Sequence, residues 1–521
     1  MDRRPKTLLQ KSADRASLIF LAGSLVFLYL LTFILPHTPI LQGDTAPIFL
    51  LDAVRMLQGD VIYRDFFELT LPGTPLVYQA SFMVFGIRAW IPNAMLILLG
   101  VSLSWLSIGI SKRLMNAGYV LLPSLLFLTF VFGNTLDANH HWYSTLAIIG
   151  ALALLIEGRS HRHIAMAGAL CGVATCFTQS RGVVSTLGFA AFLIWEFHKK
   201  GQSWRELVKA EFCLIGPMLG ITVPLIAYFA WKAGMHRFLF CAVTFVRLYY
   251  GEWRWNKLSA YMTEAPDFSS WLELPALGIW LFIHALVPLI FLLVFVRYLE
   301  RSATQAQEPW DRLMLVNVTG LFLFLGVAFA PVWERLCMAA LPGLILFVWF
   351  IRASTKYHRV ILSGLGFVAL AVAIVKPAMT QAGVLGCLDT PRGRIAFAST
   401  TFAEPEAYEK FEWLLHRTRP SEFFFNARDA DMYFMLNLRT PAEVPFLTTS
   451  DYTRPEQVLD VLNGLQVHRV RFVMWWPELD LPDDAAHPEG DHLGPVRAYL
   501  RRHYHVVKTF TDGTQVWERS M

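Results

Sequence analysis

Ala16-Ser-Leu-Ile-Phe-Leu-Ala-Gly-Ser-Leu-Val-Phe-Leu-Tyr-Leu-Leu-Thr-Phe-Ile-Leu35 carries no charge. Its length matches the roughly 20 residues a helix needs to cross a bilayer. A basic leader precedes it (Arg3, Arg4, Lys6, Lys11 and Arg15), as in a secretory signal. Yet Leu35-Pro-His-Thr offers no small-residue cleavage site, the apolar run is too long, and similar runs follow. Gly118–Gly133, Leu277–Val296 and Ile361–Val375 are almost equally free of charge. The 521 residues are 55% hydrophobic and only 16% charged, against about 25% charged in an ordinary soluble domain. The chain reads as a polytopic membrane protein.

Lys and Arg alternate between rich and poor loops. The rich ones are the N-terminus, Lys112-Arg113, Arg159–Arg162, Lys199–Lys209, Arg297–Arg312 and Arg352–Arg359. Placing all of them in the cytoplasm predicts about eleven spans, an internal N-terminus and an external C-terminus. The spans fall near 16–35, 90–111, 117–133, 142–157, 163–179, 183–197, 210–231, 273–297, 312–330, 336–351 and 357–375. The net charge of +5 follows this pattern and gives no reason to expect a nucleic-acid partner. Six scattered cysteines suggest neither a disulfide framework nor a zinc site.

Counting Leu71–Gly86 as a span would invert the later loops, so it is predicted to lie in the external interface. Pro47–Gln58 is similar: Leu50, Leu51, Val54 and Leu57 form one stripe, with Asp52, Arg55 and Gln58 away from it. The external loop 36–89 is therefore expected to carry two membrane-hugging helices. A second external loop, 232–272, is dense in aromatic and basic residues and also reads as interfacial.

After residue 375 the composition turns polar. Helices are predicted at Glu406–Arg417, Pro455–Leu465 and Val496–His503. Strands are predicted at Glu422–Asn426 and Arg469–Trp475, with a closing hairpin of Val506–Phe510 and Gln515–Glu518. The fold class is thus mainly α: a membrane helical bundle over residues 1–375, followed by an extracytoplasmic α/β domain over 376–521.

The span interiors hold no Asp or Glu, which lie at the ends instead. Ion-coupled transporters keep ionisable groups near mid-membrane, so chemistry is expected at the external membrane surface. Asp44, in Gln42-Gly-Asp-Thr-Ala-Pro, reads either as a helix cap before Pro47 or as a general base for an acceptor hydroxyl. Asp137 reads as a solvated loop residue or as a second acid beside Asn139, His140, His141 and Trp142, groups suited to a sugar. Adjacent histidines are not the i, i+4 pair that puts two metal ligands on one helix face. Arg181 and Arg335 each lie between apolar spans on the outside, either snorkelling or clamping a phosphate. Glu68 is a second carboxylate or, with His141, a candidate ligand for a divalent cation. No cofactor is established by these residues, a divalent cation being the one candidate.

These features suit a substrate whose lipid lies in the bilayer and whose phosphate sits at its surface. The sequence resembles the GT-C glycosyltransferases, which use polyprenyl-phosphate-linked sugars, and in particular the branch of protein O-mannosyltransferases and the lipid A aminoarabinose transferase. The resemblance rests on Gly43-Asp-Thr-Ala-Pro; on Gly59-Asp-Val-Ile-Tyr-Arg-Asp-Phe-Phe-Glu with Pro72-Gly-Thr-Pro-Leu and Phe85-Gly; on Asp137; and on Gly172-Val-Ala-Thr-Cys-Phe-Thr-Gln-Ser-Arg-Gly. It implies a catalytic base at Asp44, an acidic partner at Asp137 and a lipid-phosphate contact at Arg335. Substrate contacts are expected from Arg181, Glu68, His140, His141 and Tyr63. The implied donor is a polyprenyl-phosphate-linked sugar, and the acceptor is a hydroxyl on a glycan, lipid or protein. Two departures stand out: Thr45 replaces the second acid of the usual Asp-Glu pair, and Arg181 substitutes for a Lys common near Gln179. The alternatives are a transporter or flippase for a lipid-linked glycan, and an inactive lipid-binding relative.

Overall fold

The structure, a computed structural model, describes residues 8–43, 45–115, 117–262, 274–300, 308–399, 406–483 and 487–520. It is mainly helical, and each segment read as a span is occupied chiefly by helix. The long helices are α1 (Leu8–Thr32), α4 (Ile91–Leu114), α6 (His140–Glu157), α7 (His161–Phe177), α8 (Gln179–Lys199) and α9 (Trp204–Ala233). Between α1 and α4 lie α2 (Ala46–Leu57) and α3 (Gly73–Phe85), and α5 (Leu122–Leu126) runs on through a wider π turn (Phe127–Val131) and a tighter 3-10 turn (Phe132–Asn134). Later helices include Val287–Leu299, Trp310–Leu325, Leu341–Ser354 and His358–Ala382. Among the described residues, five helices are long and apolar enough to cross a membrane: Asp14–Thr32, Ile91–Leu114, Trp204–Ala233, Ala276–Leu299 and His358–Ala382. Leu18, Trp105, Phe212, Trp231 and Phe367, on these helices, are exposed.

The bundle packs through small residues. On α7, Gly168 and Gly172 lie one turn apart against α9; a Cβ on Gly168 would meet the Leu214 carbonyl oxygen at 2.0 Å. Contact this close between backbones is how helices gain dispersion energy where apolar surroundings give no hydrophobic drive. Ser160 and Ser203 cap α7 and α9, taking up backbone N–H groups of His163 and Glu206.

The two helices expected at the interface are buried to different extents. In α3 the apolar end Met83–Phe85 is exposed, while Tyr78 and Phe82 pack inward. Helix α2, by contrast, is buried on its polar side as well, with Asp52 only 3% exposed. Later residues cover it: Arg55 donates to the Ala442 and Asp65 carbonyls and pairs with Asp60, satisfying a cation that would otherwise need water.

Toward the C-terminus, β5 (Phe424–Asn426) and β6 (Phe472–Trp475) pair in parallel. They join β7 (Tyr504–Thr509) and β8 (Gln515–Arg519) in a sheet of order β5-β6-β8-β7. Helices Ala407–Leu415, Pro455–Val467 and Gly494–His503 accompany these strands. Besides the short pair β1 (Phe33–Ile34) and β2 (Thr38–Pro39), a hairpin of β3 (Val384–Thr390) and β4 (Gly393–Ala398) was not expected. It sits on the first loop, where the Leu41 amide donates to the Ala396 carbonyl.

Candidate active site

The first loop, the loop before α6, the 250–256 segment and the C-terminal sheet enclose one cavity of about 520 Å³. Of the expected site residues, Glu68, Asp137, His140, His141 and Arg335 line it. Asp44 lies outside the described residues. Its neighbour Thr45 lines the cavity, and a Cβ on Gly43 would stand 2.8 Å from Asp137 Oδ1.

Asp137 is 2% exposed, and its carboxylate reaches across the fold to the start of α2. Oδ1 accepts from the Ala46 amide at 3.0 Å and Oδ2 from the Thr45 amide at 3.1 Å. A carboxylate held by free N–H groups at a helix N-terminus gains both hydrogen bonds and the helix dipole. Thr45 itself makes no capping bond, so α2 is capped from 91 residues away rather than locally. Asn139 ties the arrangement together. Its amide nitrogen donates to Asp137 Oδ2 at 2.8 Å and to Glu334 Oε1 at 2.7 Å, and its oxygen accepts from the His141 amide. Asp137→Asn is expected to destabilise the protein by about 1–3 kcal/mol, read as a lower thermal-unfolding midpoint in detergent; an unchanged midpoint would show that the cap is dispensable.

Arg335 belongs to the short helix Trp333–Cys337. Its guanidinium donates to Asn256 Oδ1 at 2.9 Å and to the Ala330 carbonyl, and lies 5.9 Å from the Tyr250 ring centroid. A planar cation held on two sides at the wall of a cavity is a site for an anion. His140 and His141 lie beside it, their rings 3.8 Å apart. Burial first, then the charges of Arg181 and Arg335, push His140 down to about 3; burial, then His140 and the same two arginines, lowers His141 as well. Both imidazoles therefore stay neutral and offer hydrogen bonds without adding charge. Glu68 Oε1 accepts from the Leu69 and Thr70 amides and the Thr70 hydroxyl. Burial, then the Glu68 charge, raises Asp52 well above the usual carboxylate range, and burial raises Glu68 as well.

Two expected substrate contacts are placed elsewhere. Arg181 is fully buried and off the cavity wall: it donates to Thr145 Oγ1 and to the Arg335 carbonyl, both at 3.0 Å, so it holds Arg335's backbone. Tyr63 is also fully buried, its hydroxyl donating to the Thr70 carbonyl at 2.6 Å beside Glu68. Among the described residues no group of three or more His, Cys, Asp or Glu side chains could hold a metal ion. Glu68 and His141 thus lack a third such ligand there. Lys376, one residue beyond its expected span, donates to the Gly133 carbonyl at 2.6 Å and to Asn134, at the root of the Asp137 loop. Glu334 and Asn256 were not singled out from sequence, and the rings of the 250–255 segment were read only as part of an aromatic interfacial loop, the signal that could have pointed to the cavity.

Helical bundle, covering first loop and terminal α/β elements together define a fold shared with membrane enzymes of known structure. ArnT from Cupriavidus metallidurans, bound to undecaprenyl phosphate, is similar over 96% of this chain and 97% of its own, with a TM-score of 0.58 at 12% identity. The archaeal oligosaccharyltransferase AglB from Archaeoglobus fulgidus, in complex with an inhibitory peptide and a dolichol-phosphate, is similar over 97% of this chain and 74% of its own, with a TM-score of 0.52 at 10% identity. The Archaeoglobus fulgidus oligosaccharyltransferase in complex with Zn and sulfate matches with a TM-score of 0.51 at 11% identity, over 96% of this chain and 73% of its own. No family sequence model matches the chain, and no curated protein matches it in sequence. The resemblance seen in the sequence holds at the level of the fold.

Proposed function

We propose that this chain is a GT-C-type glycosyltransferase that moves a sugar from a polyprenyl-phosphate-linked donor to an acceptor hydroxyl. The observation that carries this reading is the convergence of Asp137, Glu68 and Arg335 on one cavity that the chain neighbour of Asp44 also lines. The shared fold with ArnT bound to undecaprenyl phosphate and with AglB bound to dolichol-phosphate supports it. In this reading Asp44 takes the proton of the acceptor hydroxyl, and the oxygen attacks the anomeric carbon. As that bond forms, the bond from the anomeric carbon to the donor phosphate oxygen breaks, and its electron pair leaves with the lipid phosphate. Arg335 meets the charge that develops there. One displacement inverts the anomeric centre. Asp137 positions the Asp44 loop by holding the start of α2. Glu68 and His141 are the residues to test for a divalent cation.

The loop charges support a cytoplasmic N-terminus, a reaction on the outer side of the plasma membrane, and a division into a catalytic bundle of about eleven spans (1–375) and an extracytoplasmic domain (376–521). The experiment is direct. Purified protein in nanodiscs should bind undecaprenyl phosphate, and Arg335→Ala should weaken that binding. Wild-type protein that shows no affinity for the lipid would refute the reading.

A further inference from the structure

The wall of the cavity beyond Arg335 is unlike the phosphate end. The segment 250–256 bridges the two. At its ends, Tyr250 and Asn256 contact the Arg335 guanidinium, and in its middle Trp253 turns to two rings of the C-terminal elements. Trp253 lies 5.6 Å from Phe446 and 5.5 Å from Tyr452, centroid to centroid, and Phe446 and Tyr452 are nearly parallel, 6.0 Å apart. All three line the cavity.

Polar groups frame these rings. The parallel strands β5 and β6 point their carboxyl ends at the cavity, and the residues that follow, Arg428 with Asp429 and Glu478 with Asp483, form its rim. Ligands of α/β sheets bind at the carboxyl ends of parallel strands. Glu478 and Asp483 pair with Arg428 and Arg254 at 3.6 and 3.7 Å, beyond hydrogen-bond length, so their oxygens keep capacity to accept hydroxyl protons.

We propose that Trp253, Phe446 and Tyr452 are the acceptor platform, and that the acceptor is an uncharged pyranose ring of a glycan; this rests on the glycosyltransferase reading above. A pyranose has an apolar C–H face, which packs on aromatic rings, and an edge of hydroxyls, which needs carboxylates and amides around it. A hydrocarbon acceptor would cover the Thr449 hydroxyl and the Gln457 amide nitrogen on the same wall, where Gln457 Oε1 already accepts from the Arg454 amide. A peptide adding to the sheet would need an open strand edge, yet beside β5 the Phe424 amide already donates to the Arg439 carbonyl. Three rim acids (Asp429, Glu478, Asp483) against two arginines (Arg254, Arg428) disfavour an anionic acceptor.

The test uses the full-length protein in nanodiscs, as wild type, Trp253→Ala and Trp253→Phe. The probes are the methyl glycosides of glucose, galactose, mannose and N-acetylglucosamine, followed by saturation-transfer NMR. At least one glycoside should receive saturation at its ring C–H protons. Its affinity should fall about tenfold in Trp253→Ala, while Trp253→Phe stays within about threefold of wild type. Undecaprenyl phosphate should bind all three proteins equally, which shows that the variants are folded. No binding of any of the four glycosides, or equal affinity in Trp253→Ala, overturns the platform while leaving the donor site standing. Loss of undecaprenyl phosphate binding by wild type would instead strike at the glycosyltransferase reading.

Discussion

Asp44→Asn is expected to abolish sugar transfer, lowering the rate by about 10²–10⁴-fold, the range that a positioned general base supplies. Asn keeps the size of the side chain and its capacity to accept a hydrogen bond, and loses only the ability to take a proton at neutral pH. Donor affinity and the thermal-unfolding midpoint should therefore stay close to wild type. That separation matters, because in the sequence Asp44 precedes Thr45-Ala-Pro and can also be read as a cap. A cap serves stability, and an Asn is as good there as an Asp. If the variant retains full activity and an unchanged midpoint, capping is the better account and the base lies elsewhere.

Arg335→Ala is the second large effect. A charge-assisted hydrogen bond contributes about 1.5–3 kcal/mol, so affinity for a lipid phosphate should drop by about 10–100-fold. Arg335→Lys should recover part of the loss, since it restores the charge without the planar fork. The same substitution separates this residue from Arg181. Arg181 holds the Arg335 backbone through its carbonyl and does not itself line the cavity. Arg181→Lys is expected to lower stability more than donor affinity, with the thermal midpoint and lipid titration compared on the same sample. Unchanged donor affinity in Arg335→Ala would clear Arg335 of the role.

Much of the architecture was legible because apolar runs and strand-length alternations are local signals. The first span, the long helices and the strands at 424–426 and 472–475 could all be read from short windows. What escaped was decided by partners far along the chain. Helix α2 showed a clean apolar stripe and was expected at the membrane surface, but its polar side is buried because Arg55 finds the Ala442 carbonyl and Asp60. The hairpin of β3 and β4 has no turn of two residues with a strong hairpin signature. Its place is set by the Leu41 amide on the Ala396 carbonyl, and by Tyr408, which lies where a side chain on Gly386 would go.

The candidate site divides the same way. Asp137 and Arg335 were chosen for residue type and for the side of the membrane their loops imply, and both line the cavity. Arg181 met the same two criteria, yet its guanidinium turns inward to Thr145. No periodicity distinguishes an arginine that faces a substrate from one that supports its neighbour. The rings at Trp253, Phe446 and Tyr452 come from segments about 190 residues apart and meet only once the C-terminal sheet packs on the loop.

In the proposed reaction Asp44 and Arg335 act on one lipid-phosphate-linked sugar in one hollow. A cryo-electron microscopy structure of the full-length protein in nanodiscs with undecaprenyl phosphate tests it most directly. The account predicts the phosphate within hydrogen-bond reach of the Arg335 guanidinium, with the Asp44 carboxylate facing the same cavity. A phosphate bound away from Arg335, or an Asp44 side chain turned out of the cavity, would contradict it.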